Sequence, residues 1–255
     1  MSELNGLYAL WYREFKVFTR EKSRVVSSLI QPIMWLVIFG TGLGSALGES
    51  FSGTGTSYQT FIFPGILAMT ILFGSLFFGL YIIMDKRVDF LKEVLVAPLS
   101  RTTIFFGKVL GGSTDGIIEV LILMVLGALF FGIHFTLYSF IMTLVIIAFL
   151  MIAIISLGLT FGAFMSSPEG FGLVISFVIF PLFFLSGALF PVKTLPTWLF
   201  AFVALNPVSY AVDSLRSTIL GTSSAFGLPL DFAVIIGFAI AMILIGTESF
   251  KRMKV

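Results

Sequence analysis

The sequence predicts an all-α polytopic membrane protein with six transmembrane helices, and three observations carry that prediction. Hydrophobic residues make up 58% and charged residues only 11% of the 255 residues, against about 45–50% and about 25% in ordinary globular domains, so these side chains cannot build a water-facing surface. Six separate stretches each supply the roughly 20 apolar residues that a helix rising about 1.5 Å per residue needs to cross the hydrocarbon core. Lys and Arg, finally, gather in the segments that successive crossings bring to one side.

Residues 1–24 form a charged leader. Leu4, Leu7, Tyr8, Trp11, Phe15 and Phe18 recur at helical spacing, while Glu3, Asn5, Arg13, Glu14, Lys16 and Arg20 fill the remaining positions. This reads as an amphipathic helix in the interface, its apolar face in lipid and its cations near anionic headgroups; the interspersed acids argue against a targeting leader. The first span, Val25 to Leu47, lies behind this leader and exceeds the apolar core of a signal peptide, so the mature chain is expected to keep it. Phe61 to Met84, Ile104 to Phe131, Tyr138 to Met165, Phe171 to Phe190 and Leu230 to Thr247 follow, giving a six-span domain over 25–248 and a tail at 249–255. The third and fourth spans exceed the hydrocarbon thickness and should tilt or project from it.

Charge then sets orientation. Arg13, Lys16, Arg20, Lys22 and Arg24 precede the first span, Lys86, Arg87, Lys92, Arg101 and Lys108 surround the second connection, and Lys251, Arg252 and Lys254 end the chain. Only Lys193 and Arg216 fall on the other side, so both termini are expected in the cytoplasm. One turn strains this scheme: Ser166 to Gly170 is assigned inside yet carries neither Lys nor Arg.

Two connections carry pattern of their own. In 85–98, Val88, Leu91 and Leu95 share a helical face with Val94 beside them, Asp85, Lys86, Arg87, Asp89, Lys92 and Glu93 cover the rest, and Pro98 stops the helix. It is either a solvated loop that serves topology or a short cytoplasmic helix on which another protein docks. The segment 191–222 is too polar and punctuated for a full span. Pro196 can begin a helix running through Trp198 and Phe202 to Leu205; Asn206 reads as N-cap and Pro207 as first residue of a second helix, which Gly221 ends. Asp213 and Arg216 can pair on one face. Two half-length helices around an Asn-Pro break make a hairpin that dips into the outer leaflet, the alternative being an external amphipathic segment.

The motifs exclude more than they assign. Zero Cys and one His leave no disulfides, thiolate sites or cysteine nucleophiles and little for zinc or acid/base chemistry. No metal site and no cofactor is expected in this chain. A phosphate-cradling GxxxxGK[ST] loop is absent, Gly107-Lys108 being followed by Val109, so any nucleotide chemistry must come from another chain. An intramembrane serine hydrolase would need a base for Ser186, and the one imidazole, His134, falls in the outer turn after the third span. Asp115 and Glu119, four apart on one face of that span, are the unusual intramembrane acids. A mid-bilayer acid costs about 3 kcal/mol, so both should face protein or water. They either touch a cationic or polar substrate or relay protons, or this long helix starts early and leaves them near the cytoplasmic headgroups beside Lys108. Gly40/Gly44, Gly44/Gly48, Gly107/Gly111, Gly112/Gly116 and Gly158/Gly162 fit the GxxxG spacing that permits close helix approach.

With these pieces in order, the chain resembles the membrane subunits of type-2 ATP-binding-cassette (ABC) exporters, those grouped with bacterial drug-resistance, polysaccharide and nodulation-factor exporters. The carriers are the amphipathic leader, Phe63-Pro64-Gly65-Ile66 opening the second span, the FLKEVLVAPLSR stretch ending in Pro98-Leu99-Ser100-Arg101, Leu185-Ser186-Gly187 with Phe190-Pro191, Leu195-Pro196 and Trp198, then Asn206-Pro207, Tyr210, Asp213 and Arg216. The resemblance implies a prokaryotic plasma-membrane subunit with a coupling helix and a re-entrant hairpin. It implies pairing with a second copy or a homologous permease, and two cytoplasmic ATPase subunits that hold the ATP and Mg; nucleic acid has no part in it. By position, Arg87, Asp89, Leu91, Lys92, Glu93 and Leu95 would be the ATPase contact. Pro191, Pro196, Trp198, Asn206, Pro207, Tyr210, Asp213 and Arg216 would shape the outer gate. Asp115 and Glu119 belong to no such pattern, and they keep open a rival reading as a proton-driven secondary transporter.

Overall fold

The computed structural model describes residues 3–52 and 57–253, without the side chains of 24, 46–52, 92 and 95, so readings placed on Arg24, Gly48, Lys92, Leu95 and Lys254 lie outside it. The described residues are helical with short connections, and no strand occurs among them. In order they are α1 (Glu3–Arg20), α2 (Lys22–Ser52), α3 (Tyr58–Arg87), α4 (Phe90–Val96), α5 (Arg101–Phe131), α6 (Leu137–Phe164), α7 (Pro168–Phe184), α8 (Thr197–Leu205), α9 (Pro207–Leu220) and α10 (Leu228–Arg252). Five of them, α2, α3, α5, α6 and α10, are long and apolar enough to cross a membrane, or six crossings if α8 and α9 count as one.

Helix α3 is the axis of the bundle. Some 72% of its apolar window is buried, against 17% for α2 and α10, which therefore present most of their surface outward. It packs on α2, α5, α6 and α9, and among the described residues its contact with α6 is the most extensive. There Gly79 meets Gly158 and Gly162 backbone to backbone: a Cβ on any of the three would overlap a carbonyl of the facing helix. The Gly158/Gly162 spacing thus seats α6 on α3, whereas Gly107 and Gly111 form a groove that receives Leu10 and Glu14 of α1.

That groove changes the reading of the leader. Helix α1 runs parallel to the first turns of α5, with Trp11 Nε1 donating to Thr114 Oγ1 at 2.9 Å and Glu3 accepting from Ser100 N at 3.1 Å. Gly6, Leu10, Glu14 and Phe18 form its buried face, while Leu4 and Tyr8 point outward, so Glu14 lies on the protein side and not on a solvated polar face. The Ser100 and Thr103 hydroxyls with the Ser100 N–H hold the exposed Glu3 carboxyl below the usual carboxylate range.

Two cations read as part of the 85–98 surface and of the Pro98-Leu99-Ser100-Arg101 stretch prove to be helix caps. Lys86 Nζ, at the end of α3, donates to the carbonyls of Gly162, Ala163 and Met165 at 2.9, 2.6 and 3.3 Å, closing the C-terminus of α6. Arg101, opening α5, does the same for α10 through the carbonyls of Phe250, Lys251 and Met253. The Ser166 to Gly170 turn therefore sits at the cation-rich end, with Lys86 reaching Met165 and Arg87 3.9 Å from Glu169.

The fifth predicted stretch, Phe171 to Phe190, is the main departure. Its helix starts at Pro168, with Ser167 as N-cap, and stops at Phe184. Within it Ile175–Ile179 widens to a π-turn ahead of Pro181, whose missing N–H breaks the regular ladder. Ser186 N then bonds to Phe183 O, and Gly187 turns the chain with φ 70°. A 17-residue helix rises about 25 Å, short of the roughly 30 Å that a hydrocarbon core needs.

Gly79→Ala is expected to destabilise the chain by about 1–3 kcal/mol by forcing α3 and α6 apart. Gly237→Ala, at a position with open space, should not. Thermal unfolding and gel filtration of the detergent-solubilised variants measure the difference.

Candidate functional site

At the cation-rich end four charges from three helices converge. Lys108 of α5 is 2% exposed, and its Nζ lies 2.6 Å from Asp85 Oδ2 of α3 and 2.8 Å from Glu14 Oε1 of α1. Arg13 closes the group with Nη1 at 2.7 Å from Glu14 and Nη2 at 3.4 Å from Asp85, and its guanidinium lies 3.9 Å over the ring of Phe90, the first residue of α4. Burial alone would raise the Glu14 carboxyl, but Lys108 and Arg13 outweigh it and hold that carboxyl below its ordinary value. One ionic group therefore ties the leader helix, the end of the central helix and the short connecting helix together. The sequence reading put Asp85 on the solvated connecting helix and Glu14 on a polar face; both are interior because Lys108 needs counter-charges in a dry site.

Helix α4 hangs from this group. It spans only Phe90–Val96, not 85–98: Asp85 to Arg87 belong to α3, and the chain turns at Asp89, which takes a left-handed φ of 57°. Leu91 is fully buried and anchors α4 to the bundle, so it offers no surface to a partner. Val88, expected beside it on the apolar face, is 70% exposed because it lies outside the helix. Arg87, Asp89 and Glu93 are exposed around the anchor, with Val96 outward as well. Lys92 and Leu95 contribute backbone to α4, their side chains falling outside the described residues.

At the other end α8 and α9 meet at 93° across Asn206 and Pro207. The Asn206 side chain accepts from Val208 N at 3.0 Å as an N-cap, and Gly221, at φ 66°, closes α9. The polar residues of this hairpin serve the carbonyls that the broken end of α7 releases. Asn206 Nδ2 donates to Leu182 O at 2.7 Å, Ser209 Oγ to Leu185 O at 3.1 Å, and Arg216 Nη2 to Gly187 O and Ala188 O at 2.9 and 3.2 Å. Tyr58 supplies Leu189 O from α3 at 2.9 Å. Arg216 lies 3.9 Å over the ring of Phe61. Asp213 does not pair with Arg216: its Oδ2 accepts from Ser224 Oγ, Ala225 N and Phe226 N instead. Tyr210 donates to Ala204 O across the bend, Pro191 is half-buried, and Pro196 and Trp198 are exposed, the latter by 68%.

Asp115 and Glu119 are both buried. Glu119 Oε1 accepts from Ser28 Oγ at 2.5 Å, and the carboxylate faces Gly74, halfway along α3, in a cavity of about 250 Å³ that Ser27, Gln31, Thr70, Ser75 and Tyr81 also line. Glu119 is thus well inside the bundle, while Lys108 is engaged elsewhere. Ser186 spends its hydroxyl on Phe183 O and accepts from Ala188 N, and His134 stands exposed in the α5/α6 turn, so the two make no nucleophile and base. Sequence reasoning passed over Lys86, Asp85, Lys108 and Asp231 as structural groups. The available signal was a charge embedded among apolar residues, as in Gly107-Lys108-Val109 and Leu230-Asp231-Phe232.

Lys108→Met is expected to destabilise the chain by about 3–5 kcal/mol, because Glu14 and Asp85 stay buried with Arg13 as their only cation. Since the folded-state value of Glu14 is depressed, its contribution is complete above the ordinary carboxylate range and is lost as pH falls through that lower value. The unfolding midpoint of Glu14→Gln should therefore decline less on acidification than that of the unaltered chain.

Comparison with known proteins adds the following. Residues 5–220 match the family model described as ABC-2 type transporter. A putative transport permease of Cyanophora paradoxa, ycf38, is 32% identical over 249 residues, covering 95% of this chain and 85% of the relative. The inner membrane transport permease YadH of Escherichia coli K12 is 29% identical over 257 residues, covering 97% and 95%. Nodulation protein J of Rhizobium leguminosarum bv. viciae is 26% identical over 252 residues, covering 98% and 95%.

Proposed function

The chain belongs to the ABC-2 type transporter family of membrane permeases, and from that premise we propose that it is the membrane half of an ATP-driven exporter whose ATPase is a separate chain. The observation that carries this reading is α4 with its ionic anchorage. A helix of seven residues is held to the bundle by buried Leu91, stands beside the exposed Arg87 and Asp89 with Glu93 outward, and meets at Phe90 the guanidinium that is bonded to α1 and α3. A push on α4 from below is delivered through Arg13 and Asp85 to the end of the central helix, which is packed too tightly against α6 to absorb it.

In this reading the cation-rich end faces the cytoplasm and both termini lie there. Two copies, or this chain and a homologous permease, pair through their outward-facing helices around a central path. Two ATPase subunits bind ATP and Mg and dock on the α4 surfaces; this chain is non-catalytic. The α8/α9 hairpin forms the outer gate, with Arg216 and Asn206 holding the end of α7. The cargo class is a hydrophobic drug-like molecule or a lipid-linked glycan. A proton-driven secondary transporter is the second reading, favoured by one observation: the Glu119 carboxylate in a cavity lined with hydroxyls and Gln31.

Glu93→Arg combined with Arg87→Glu should weaken retention of the co-purifying ATPase about tenfold or more, equivalent to about 1.4 kcal/mol. Its gel-filtration profile should stay unchanged and its unfolding midpoint should move little, because both side chains are exposed and the Arg87–Glu169 pair is solvated. If no ATPase accompanies the chain from native membranes, and vesicles holding it alone accumulate cargo on a pH gradient, the second reading replaces the first.

A further inference from the structure

The joint between the hairpin and the last helix contains two carboxylates and one hydroxyl whose hydrogen-bond accounting does not close without an added proton. Ser224 Oγ lies 2.8 Å from Asp213 Oδ2, 3.0 Å from Asp231 Oδ2 and 2.7 Å from Gly227 N. The Gly227 N–H donates to the oxygen, and a serine has a single hydrogen of its own to give. Asp213 is the better claimant, since the Ala225 and Phe226 N–H groups also point at its Oδ2, at 2.7 and 3.1 Å, as they would toward a carboxylate anion. Once that hydrogen goes to Asp213, the contact between Ser224 and Asp231 needs another.

Asp231 differs from Asp213 in its donors: it lacks the backbone N–H groups that Asp213 has. It is wholly buried, its Oδ1 has no hydrogen-bond partner, and among the described residues no Lys, Arg or His comes within ion-pair distance of it. The charged and titratable groups on the elements around it are committed elsewhere. Arg216 on α9 serves Gly187 and Ala188, Tyr210 donates to Ala204, and Lys193 lies on Ser223 at the exposed rim. On α5, Arg101 caps the far end of α10, Lys108 faces Glu14 and Asp85, and Asp115 lies four residues before Glu119, which faces Ser28. Helix α6, the largest neighbour of α10, has Tyr138 as its one titratable side chain. A carboxylate anion placed here has a second anion beyond the serine and no donor on its free oxygen. A neutral carboxyl needs only an acceptor for its O–H, and Ser224 Oγ is that acceptor.

We propose that Asp231 carries a proton in the folded protein and donates it to Ser224, which in turn donates to the Asp213 anion, so that the chain Asp231, Ser224, Asp213 is a proton-dependent latch fastening α9 to the start of α10. Loss of the proton leaves two anions facing one hydroxyl and loosens the joint. The assignment stands on local geometry and not on the transport reading, and it is tested without cargo or ATPase.

The experiment is infrared difference spectroscopy on the full chain in detergent near neutral pH, in light and heavy water, with Asp231→Asn for comparison. The amide presents an N–H to Ser224 as the neutral acid does, so this variant should fold. The spectrum of the unaltered chain minus that of Asp231→Asn should contain the carbonyl stretch of a protonated carboxylic acid, shifted in heavy water, whatever Asp115 and Glu119 contribute to both. A difference spectrum without that band overturns the proposal. A second measurement follows the unfolding midpoint from mildly acidic to alkaline pH. The folded chain holds a proton that the unfolded chain releases, so stability should fall as pH rises, with a smaller fall in Asp231→Asn. Coincident profiles for the two proteins likewise overturn it.

Discussion

A peptide group inside an apolar bundle has no water to turn to, and the architecture of this chain is organised around that constraint. Regular helices satisfy their own interiors but leave the last four carbonyls of each without partners. Two of these helix ends are closed by cationic side chains reaching in from another helix, Lys86 on α6 and Arg101 on α10, while Arg216 serves the Gly187 and Ala188 carbonyls in the irregular stretch beyond α7. Each cap brings a full charge to the negative end of a helix dipole and supplies several N–H donors at once, which an apolar side chain cannot. The same bonds fix tertiary geometry, since a cap on one helix that grows from another locks the two ends together. Helix α7 can stop short at Phe184 because Asn206, Ser209, Arg216 and Tyr58 take up the carbonyls it gives away.

The ionic group around Lys108 follows a different logic. A buried ion pair returns little net stability, because desolvation consumes most of the attraction, yet removing one member is costly. Such a group makes a poor fastener and a good specifier, since it admits one arrangement of α1, α3 and α5 and penalises any that parts the charges. Placed beside α4, this intolerance fixes the short helix against the ends of α1 and α3. Small residues complete it: Gly107 and Gly111 bring α1 close enough for Glu14 to reach Lys108, and Gly79 with Gly158 and Gly162 makes the α3/α6 contact unyielding.

Much of this was legible in the chain itself. Apolar runs located α2, α3, α5, α6 and α10 to within a few residues, because span length is set by the bilayer and not by neighbours. The Asn206-Pro207 break and the Gly221 stop were readable as well, being local capping chemistry. The positions misread were those whose partner is distant in sequence. Asp213 and Arg216 share a helical face and opposite charge, yet each finds a better partner elsewhere: backbone N–H groups for the acid, orphaned carbonyls for the base. Leu91 and Val88, read on one face, part into a buried and an exposed residue because Asp89 interrupts the helix that would have aligned them.

By itself, then, the sequence determined that this is a helical membrane protein, roughly where its helices begin and end, and that no nucleotide loop or cysteine chemistry resides in it, since these follow from composition, hydrophobic length and local capping. Tertiary structure alone decided which charges are interior, which carbonyls they serve and which glycines are contacts. A charge or a small residue reads the same in a sequence whether it faces lipid, water or another helix, and only the packing brings Glu14 to Lys108 or Arg216 to the end of α7.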